Sequence, residues 1–375
     1  MNVVLATRGA GRLRQGSVSL EPLNLIWIIP TQESGGSSKR PLLSGRIGRG
    51  GSSLCGPGKR PGPREVIDVT HDGVARALTV AGSDCGGGAG IQADLKVFTL
   101  LGAYGMSALT SVTAQNTRGV AGIYNLSAEA VASQIDAVVA DIGVDALKTG
   151  MLPTPEIVTT VALKVIEHGL DSLVVDPVMV AKGGAVLIPD EARRVLRDRL
   201  LPQALVVTPN IPEAEALTGL SVVDLDSMKE AAARMHGMGA RNVVVKGGHL
   251  PQWDHGGALR AAPAEARAVD VFYDGKTFTE LTGPWVNTKN THGTGCSFSA
   301  AITALLARGL SVAEAVPHAK EFVSAAIRHS LPLGSGHDPT NPWAGAASLP
   351  RELILPPGTK PSEGERCGRR CKTVG

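Results

Sequence analysis

Aromatic residues are scarce in this chain: only 3% of its 375 residues are Phe, Trp or Tyr, too few for the stacked-base platforms on which single-stranded nucleic acids dock. A surplus of charge is also missing. The formal net charge is +3, too small to draw a polyanion, and most of it sits before Arg64, so nucleic acid is not an expected partner. Long apolar runs are absent as well. The stretch Leu23–Ile29 falls far short of the ~18 residues that cross a bilayer, so no membrane segment is expected. Cysteines are few and odd in number: Cys55, Cys85, Cys296, Cys367 and Cys371. Their spacing makes no disulfide framework, and no second Cys/His pair lies near Cys367 and Cys371 to complete a zinc site. A reducing compartment is the plain reading.

Acidic residues are nearly missing from the N-terminal stretch. Before Arg64 only Glu21 and Glu33 stand against Arg8, Arg12, Arg14, Lys39, Arg40, Arg46, Arg49, Lys59 and Arg60, among many Ser and Gly. An Arg-rich, Ser-rich, acid-poor leader is the composition of an organelle transit peptide. The expected organisation is a disordered extension over 1–75, one α/β domain over 76–343 and a disordered tail over 344–375. The chloroplast is the expected destination, with the mitochondrion or cytoplasm as alternatives.

What is present is ordinary for a globular protein, with 43% hydrophobic and 19% charged residues. From Arg76 onward apolar β runs alternate with helical patterns. Strands are expected at Ala77–Ala81, Met106–Thr113, Leu173–Asp176, Leu205–Thr208 and Asn242–Lys246, and a hairpin turns at Asp274-Gly275 between Val271–Tyr273 and Thr277–Leu281. Helices are expected over Gly90–Leu101, after the N-cap Ser127 with Ile135, Val138, Val139 and Ile142 on one face, and after Thr154 with Pro155 at the first position. Asn210 caps Ile211–Leu217 and Asp224 caps a helix to about Met238, while Gly295–Arg308 and Ser311–His329 close the domain. Repeated βα units imply a mainly parallel central sheet with helices on both faces. Leu250–Ala268, rich in Gly, Ala and Pro, reads as a loop.

Two glycine-rich segments carry the chemistry. The first runs Ala-Gly-Ser-Asp-Cys-Gly-Gly-Gly-Ala-Gly-Ile-Gln-Ala-Asp-Leu-Lys from Ala81 to Lys96. The second, Asn-Thr-Lys-Asn-Thr-His-Gly-Thr-Gly-Cys from Asn287 to Cys296, opens a helix. A helix N-terminus with glycines offers unpaired N–H groups and the positive end of the helix dipole, which suits a phosphate. Gly293, Thr294, Gly295 and Cys296 supply such groups for a moving phosphoryl. Lys246 follows an apolar strand and can reach ATP phosphates. Asn210 and Glu213, three apart at a helix start, offer hard oxygens to Mg²⁺ through water, or form no more than a capping box. Asp176 ends another strand on the same side of the sheet, where open parallel sheets bind ligands.

These segments, with Val112–Thr117, Lys148–Leu152, Val175–Met179, Thr208–Ala214 and Val245–His249, closely resemble the hydroxymethylpyrimidine/phosphomethylpyrimidine kinases of thiamine biosynthesis. The resemblance runs from about Ala77 to about Trp343. It implies a ribokinase-like α/β fold, ATP and Mg²⁺, and two successive phosphorylations of 4-amino-5-hydroxymethyl-2-methylpyrimidine by what is expected to be a homodimer. Matched by motif, it places the pyrimidine against Gly82, Asp94, Gln115, Met151 and Val178. A carboxamide at Gln115 complements an amino group beside a ring nitrogen, as Gln does with adenine. Sugar kinases of the superfamily carry Asp where this chain has Cys296. A thiol at a helix N-terminus is expected to have a lowered pKa and to take the substrate's hydroxyl proton, with packing the alternative. Where bacterial members commonly read Asp-Pro-Ser-Gly-Gly, this chain has Asp84-Cys85-Gly86-Gly87-Gly88. The tail after Trp343 is too short for the thiamine-phosphate synthase fused to plant relatives, so the kinase alone is expected. Pyridoxine or pyridoxal kinase is the alternative within the superfamily, and a non-catalytic pyrimidine-binding protein the alternative outside it.

Overall fold

The computed structural model describes residues 73–355, apart from 181–183, 185 and 249–266. The expected transit peptide, the tail from 356 and most of the Leu250–Ala268 stretch therefore lie outside the described residues.

Short apolar runs form the centre of the molecule. They build a nine-stranded sheet ordered β3-β2-β1-β4-β5-β6-β7-β8-β9. Its strands are β1 (Ala75–Asp84), β2 (Ala103–Asn116), β3 (Gly119–Asn125), β4 (Ala146–Thr149), β5 (Leu173–Val175), β6 (Val206–Val207), β7 (Asn242–Val245), β8 (Arg267–Tyr273) and β9 (Phe278–Pro284). From β2 to β7 neighbouring strands run parallel, while β3 at one edge and β8–β9 at the other are antiparallel. Parallel strands buried on both faces need apolar side chains in both directions. In β5, Leu173 and Val175 join one core and Val174 the other; Val243, Val245 and Val244 of β7 divide the same way.

Ten helices complete the described fold: α1 (Gly90–Leu100), α2 (Ala128–Asp141), α3 (Pro155–Glu167), α4 (Asp190–Val195), α5 (Ile211–Thr218), α6 (Leu225–Gly237), α7 (Thr294–Ala307), α8 (Val312–Arg328), α9 (Pro342–Ala347) and α10 (Arg351–Ile354). One face of the sheet packs on α2, α3, α5 and α6, and the other on α1, α7, α8 and α9. The expected caps form: Ser127 accepts from the Ala130 amide, Thr154 from Ile157 and Asp224 from Ser227. Among the described residues no helix is long and apolar enough to cross a membrane.

Helix α7 is apolar all round because it is covered on all sides, and every residue from Ser297 to Leu305 is buried. Its hydroxyls turn back on the helix, Ser299 to the Gly295 carbonyl and Thr303 to that of Ser299. A rod packed in this way holds its N-terminus still.

Four expectations are corrected. Strand β3 went unread; it returns from the turn at Asn116–Gly119 and pairs Tyr124 with Val112. The segment α4, continued by a π turn over Leu196–Leu200 and a 3₁₀ turn over Leu201–Gln203, also went unread. Helix α2 buries Val131 and Ile135, whereas Ile142 is its exposed C-cap. The boundary at Trp343 falls inside α9, and residues 344–355 are not a disordered tail: Ala346 and Leu349 are buried in the core under α8.

Candidate active site

The chain passes from β1 to β2 on one side and then to β4 on the other, so the strand order reverses at β1. A crevice opens at such a point, beyond the carboxyl ends of the strands. Here it is a cleft of about 580 Å³. Every residue expected in the site lines it: Gly82 of β1, Gln115 of β2, Met151 after β4, Asp176 and Val178 after β5, Asn210 and Glu213 after β6, Lys246 after β7, Gly293 to Cys296 at the start of α7, and Asp94 of α1.

The floor is made by two helix N-termini. The N-cap residues of α1 and α7 make no side-chain cap, so both helices direct positive dipole ends toward the cleft, with the Thr294 amide turned back to the Thr291 carbonyl at 3.3 Å. The Gly90 amide, opening α1, stands near the Cys296 sulfur in the first turn of α7 and favours its thiolate. Glycine is required where the two loops meet. Gly293 has φ +79°, and a Cβ there would collide with the Gly88 carbonyl. A Cβ on Gly295 would stand 3.2 Å from the Lys246 ammonium and 3.5 Å from the Asp176 carboxylate. At the other end of the cleft, a Cβ on Gly82 would meet the Met151 methyl group at 2.5 Å and the Ser111 hydroxyl at 2.8 Å.

Asp84 organises the first glycine loop. Its Oδ1 accepts from the Gly86 amide at 2.8 Å, and its Oδ2 from Gly88 at 3.1 Å, Ala89 at 2.8 Å and His292 Nε2 at 2.9 Å. Burial alone would raise its pKa, but these donors hold it below the usual carboxylate range. His292 thus ties the second glycine segment to the first. The same Nε2 lies 3.3 Å from the Gln115 carboxamide, whose other end is 3.2 Å from the Thr113 hydroxyl.

Two ammonium groups face the carboxylates of the cleft. Lys148 is fully buried and pairs with Asp94 Oδ1 at 2.8 Å, while Thr79 donates to Asp94 Oδ2 at 2.7 Å. Burial works to lower the Lys148 pKa, yet Asp94, Cys296 and Asp176 lift it above the ordinary value, so it stays charged. Asp94 is therefore not a free carboxylate awaiting substrate, as expected from the sequence; both oxygens are engaged and it is the counter-charge of Lys148. Lys246 lies 3.1 Å from Asp176 Oδ1, and the Ser299 hydroxyl oxygen lies 3.3 Å from Asp176 Oδ2.

Asn210 and Glu213 do form the capping box: the Glu213 amide donates to Asn210 Oδ1 at 2.9 Å and the Asn210 amide to Glu213 Oε2 at 2.8 Å. Burial first, and repulsion from Asp176 in addition, raise the Glu213 pKa to about 7 against the pull of Lys246. Cys296 corrects a further expectation. The half-buried thiol is not lowered by its helix terminus; burial, with Asp94 and Asp176 nearby, pushes it up to about 12 despite Lys148 and the Gly90 amide.

Sequence reading missed Lys148, Asp84 and His292. The signal for Lys148 was a charge inside the otherwise apolar run Ala-Leu-Lys-Thr of β4, which requires a buried partner. His292 and Asp84 stood inside quoted motifs but carried no assigned role.

Sheet order and cleft define a ribokinase-like phosphotransferase. Residues 84–341 match the phosphomethylpyrimidine kinase profile, and the chain belongs to that family. It is 48% identical over 271 residues to the hydroxymethylpyrimidine/phosphomethylpyrimidine kinase of Bacillus subtilis, covering 72% of this chain and 96% of that protein. It is 54% identical over 264 residues to a thiamine biosynthesis bifunctional protein of Geobacter sulfurreducens, covering 70% of this chain and 51% of that one. A chloroplastic thiamine biosynthetic bifunctional enzyme of Arabidopsis thaliana is 46% identical over 70% of this chain and 49% of its own length. The chain thus spans about half of each bifunctional relative. Among solved structures, an ADP complex of Bacillus subtilis pyridoxal kinase superposes with a TM-score of 0.64 at 42% identity, covering 72% of this chain and 98% of that one.

Proposed function

We propose that the protein transfers the terminal phosphoryl group of ATP to the hydroxymethyl oxygen of 4-amino-5-hydroxymethyl-2-methylpyrimidine, then phosphorylates the monophosphate to the pyrophosphate ester used in thiamine synthesis. The observation that carries this reading is the meeting of two uncapped helix N-termini beside Lys246, in one cleft with Gln115. Phosphoryl transfer needs little covalent help from a protein; it needs positioning and donors where negative charge spreads.

Gln115 holds the amino and ring-nitrogen edge, Met151 and Val178 wall the ring, and bare Gly82 lets the Met151 side chain close against β1. The amides of Gly293, Gly295 and Cys296 donate to the equatorial oxygens, Thr294, whose own amide is bonded to the Thr291 carbonyl, shapes the turn between them, and Lys246 neutralises the ATP phosphates. The O–H bond of the alcohol breaks as its oxygen attacks phosphorus. The thiol of Cys296 first gives its own proton to solvent, its thiolate takes the alcohol proton, and the bond to ADP opens. Lys148, held by Asp94, favours the thiolate that this step needs.

The residues fit a magnesium ion brought in with ATP. The Asp176 carboxylate adds to the cost of ionising Glu213, and a cation relieves that repulsion. Asn210 and Glu213 use their facing atoms in the capping box, which leaves contact through water, while Asp176 faces the Lys246 side. Magnesium there would supply charge neutralisation on the phosphates.

A coupled ADP-release assay with the aminopyrimidine alcohol, its monophosphate and pyridoxal tests the reading. Release with both pyrimidines supports it, and release with pyridoxal alone overturns it. Pyridoxal kinase is the second reading, favoured by the structural likeness to the Bacillus subtilis enzyme. A homodimer, testable by sedimentation, is part of the proposal. So is chloroplast targeting by residues 1–75, supported by their acid-poor composition and the chloroplastic plant relative. A reporter fused behind those residues that stays in the cytosol would refute it.

A further inference from the structure

We propose that His292, held by Asp84, is a specificity-determining positioning residue: it fixes which way round the Gln115 carboxamide stands, and so the order of donor and acceptor that the cleft shows to a ring. The inference rests on the pyrimidine reading above.

Proton counting carries the argument. Asp84 accepts three backbone amides and is ionised, so the His292 Nε2 that lies 2.9 Å from its Oδ2 bears a hydrogen. A nitrogen that donates in this way cannot also accept. In the structure Gln115 Nε2 stands 3.3 Å from that same nitrogen, which sets two donors face to face. Thr113 repeats the conflict. Its hydroxyl has one hydrogen, committed at 2.8 Å to the Ser83 carbonyl, yet Gln115 Oε1 stands 3.2 Å away as a second acceptor. A half-turn of the carboxamide resolves both at once. Its oxygen then shares the His292 N–H, and its nitrogen donates to the Thr113 oxygen. Oxygen and nitrogen of a carboxamide are nearly isosteric, so hydrogen-bond partners decide between them. Two independent neighbours select the same orientation.

The backbone preserves this arrangement. The His292 ring lies against Gly88, where a Cβ would strike it, and the amides of His292 and Thr340 link its own loop to the 338–340 segment through the Asp338 and His292 carbonyls. One N–H and one oxygen lone pair of Gln115 remain for a ligand, in fixed order. An amino group beside a bare ring nitrogen matches that order. The corresponding pyrimidinone, with an oxo group beside a ring N–H, presents the reverse and meets two mismatches. A carboxamide free to turn would read either ring.

The experiment measures kcat/KM for the aminopyrimidine alcohol and for its 4-oxo analogue in the wild type, His292→Phe, His292→Gln and Thr113→Val. His292→Phe keeps a ring against Gly88 but removes the N–H. It should cut the preference for amino over oxo by at least about tenfold, since a site built to hydrogen-bond rejects mismatches only while its donors stay ordered. His292→Gln restores a donor to Asp84 and should recover the preference. Thr113→Val should move it in the same direction as His292→Phe, and decides the matter alone if thermal melting shows His292→Phe to be unfolded. A preference that stays at the wild-type value in the folded variants, even with both kcat/KM values lowered together, overturns the inference and leaves the substrate reading intact. A wild type that phosphorylates neither pyrimidine overturns both.

Discussion

Cys296→Ser is the sharpest perturbation of the proposed chemistry, because it keeps the backbone amides of the anion site and removes only the ionisable sulfur. The structure sets the scale. With its pKa pushed up to about 12, the thiol is overwhelmingly protonated near neutral pH, and removing its proton costs on the order of 6 kcal/mol. A base in that condition works through its scarce thiolate. The first phosphorylation should therefore speed up with pH, by close to tenfold per unit between roughly pH 6.5 and 9, wherever chemistry limits the rate. Cys296→Ser should lower kcat for the alcohol by about 10²–10⁴-fold, the usual worth of a positioned acid–base group, and leave the KM for ATP near its wild-type value. Cys296→Asp should recover part of the rate, since a carboxylate serves the same task in sugar kinases of the superfamily. The second phosphorylation begins from a phosphate oxygen already mostly ionised near neutral pH, and should fall by less than about tenfold. A coupled ADP-release assay run as a pH series on the alcohol and on its monophosphate reads all of these. Wild-type rates for both steps in Cys296→Ser, with a flat pH profile in the parent enzyme, would refute the argument and leave the two helix N-termini as the whole of the catalytic device.

Lys148→Met strands the Asp94 charge in a site with no exposure, and should cost about 3–5 kcal/mol in urea unfolding, while Lys148→Met with Asp94→Leu recovers most of it. A loss below about 1 kcal/mol would mean the pair is hydrated. Gly293→Ala forces a side chain into a left-handed backbone and against the Gly88 carbonyl, and kcat should fall at least about 100-fold as the two loops part; near-normal turnover would show that the anion site does not depend on their contact. Gln115→Leu should cost about 2–3 kcal/mol in kcat/KM for the aminopyrimidine and leave ATP saturation unchanged; an equal loss for both would make Gln115 structural. Glu213 has a folded pKa raised to about 7 from 4.5. Its contribution is fully present below about pH 4.5 and is lost as pH rises to about 7, a change of ~3 kcal/mol. Urea midpoints in chelator at acid and neutral pH should show this slope, and Glu213→Gln should flatten it; an unchanged slope would assign the titration elsewhere.

Much of the scaffold was legible because its signals are local. Ser127, Thr154, Asn210 and Asp224 sit at the helix starts their side chains announce. The valine runs of β5 and β7 read as strands because nothing but a doubly covered sheet buries them. Strand β3 was not legible, since an edge strand facing partly outward has half-exposed Val120 and Ile123 and exposed Tyr124 without a strong apolar run. The π and 3₁₀ turns after α4 escaped for a related reason: Leu196, Leu200 and Leu201 are placed by the core they enter rather than by a period.

The site divides along the same line. By itself the sequence determined which residues gather at the strand ends and which helix starts lack a capping side chain, because glycine freedom, caps and apolar period act over a few neighbouring residues. The state of each side chain was decided only in three dimensions. Asp94 meets Lys148 across 54 residues of chain, and Asp84 meets His292 across 208. Those meetings engage an aspartate that motif matching had assigned to substrate, keep a lysine charged in the floor, and orient a carboxamide. Cys296 shows the reason most plainly. Its helix terminus favours the thiolate, but burial beside two carboxylates outweighs that dipole, and burial is set by the layers that close over a residue rather than by its neighbours in the chain.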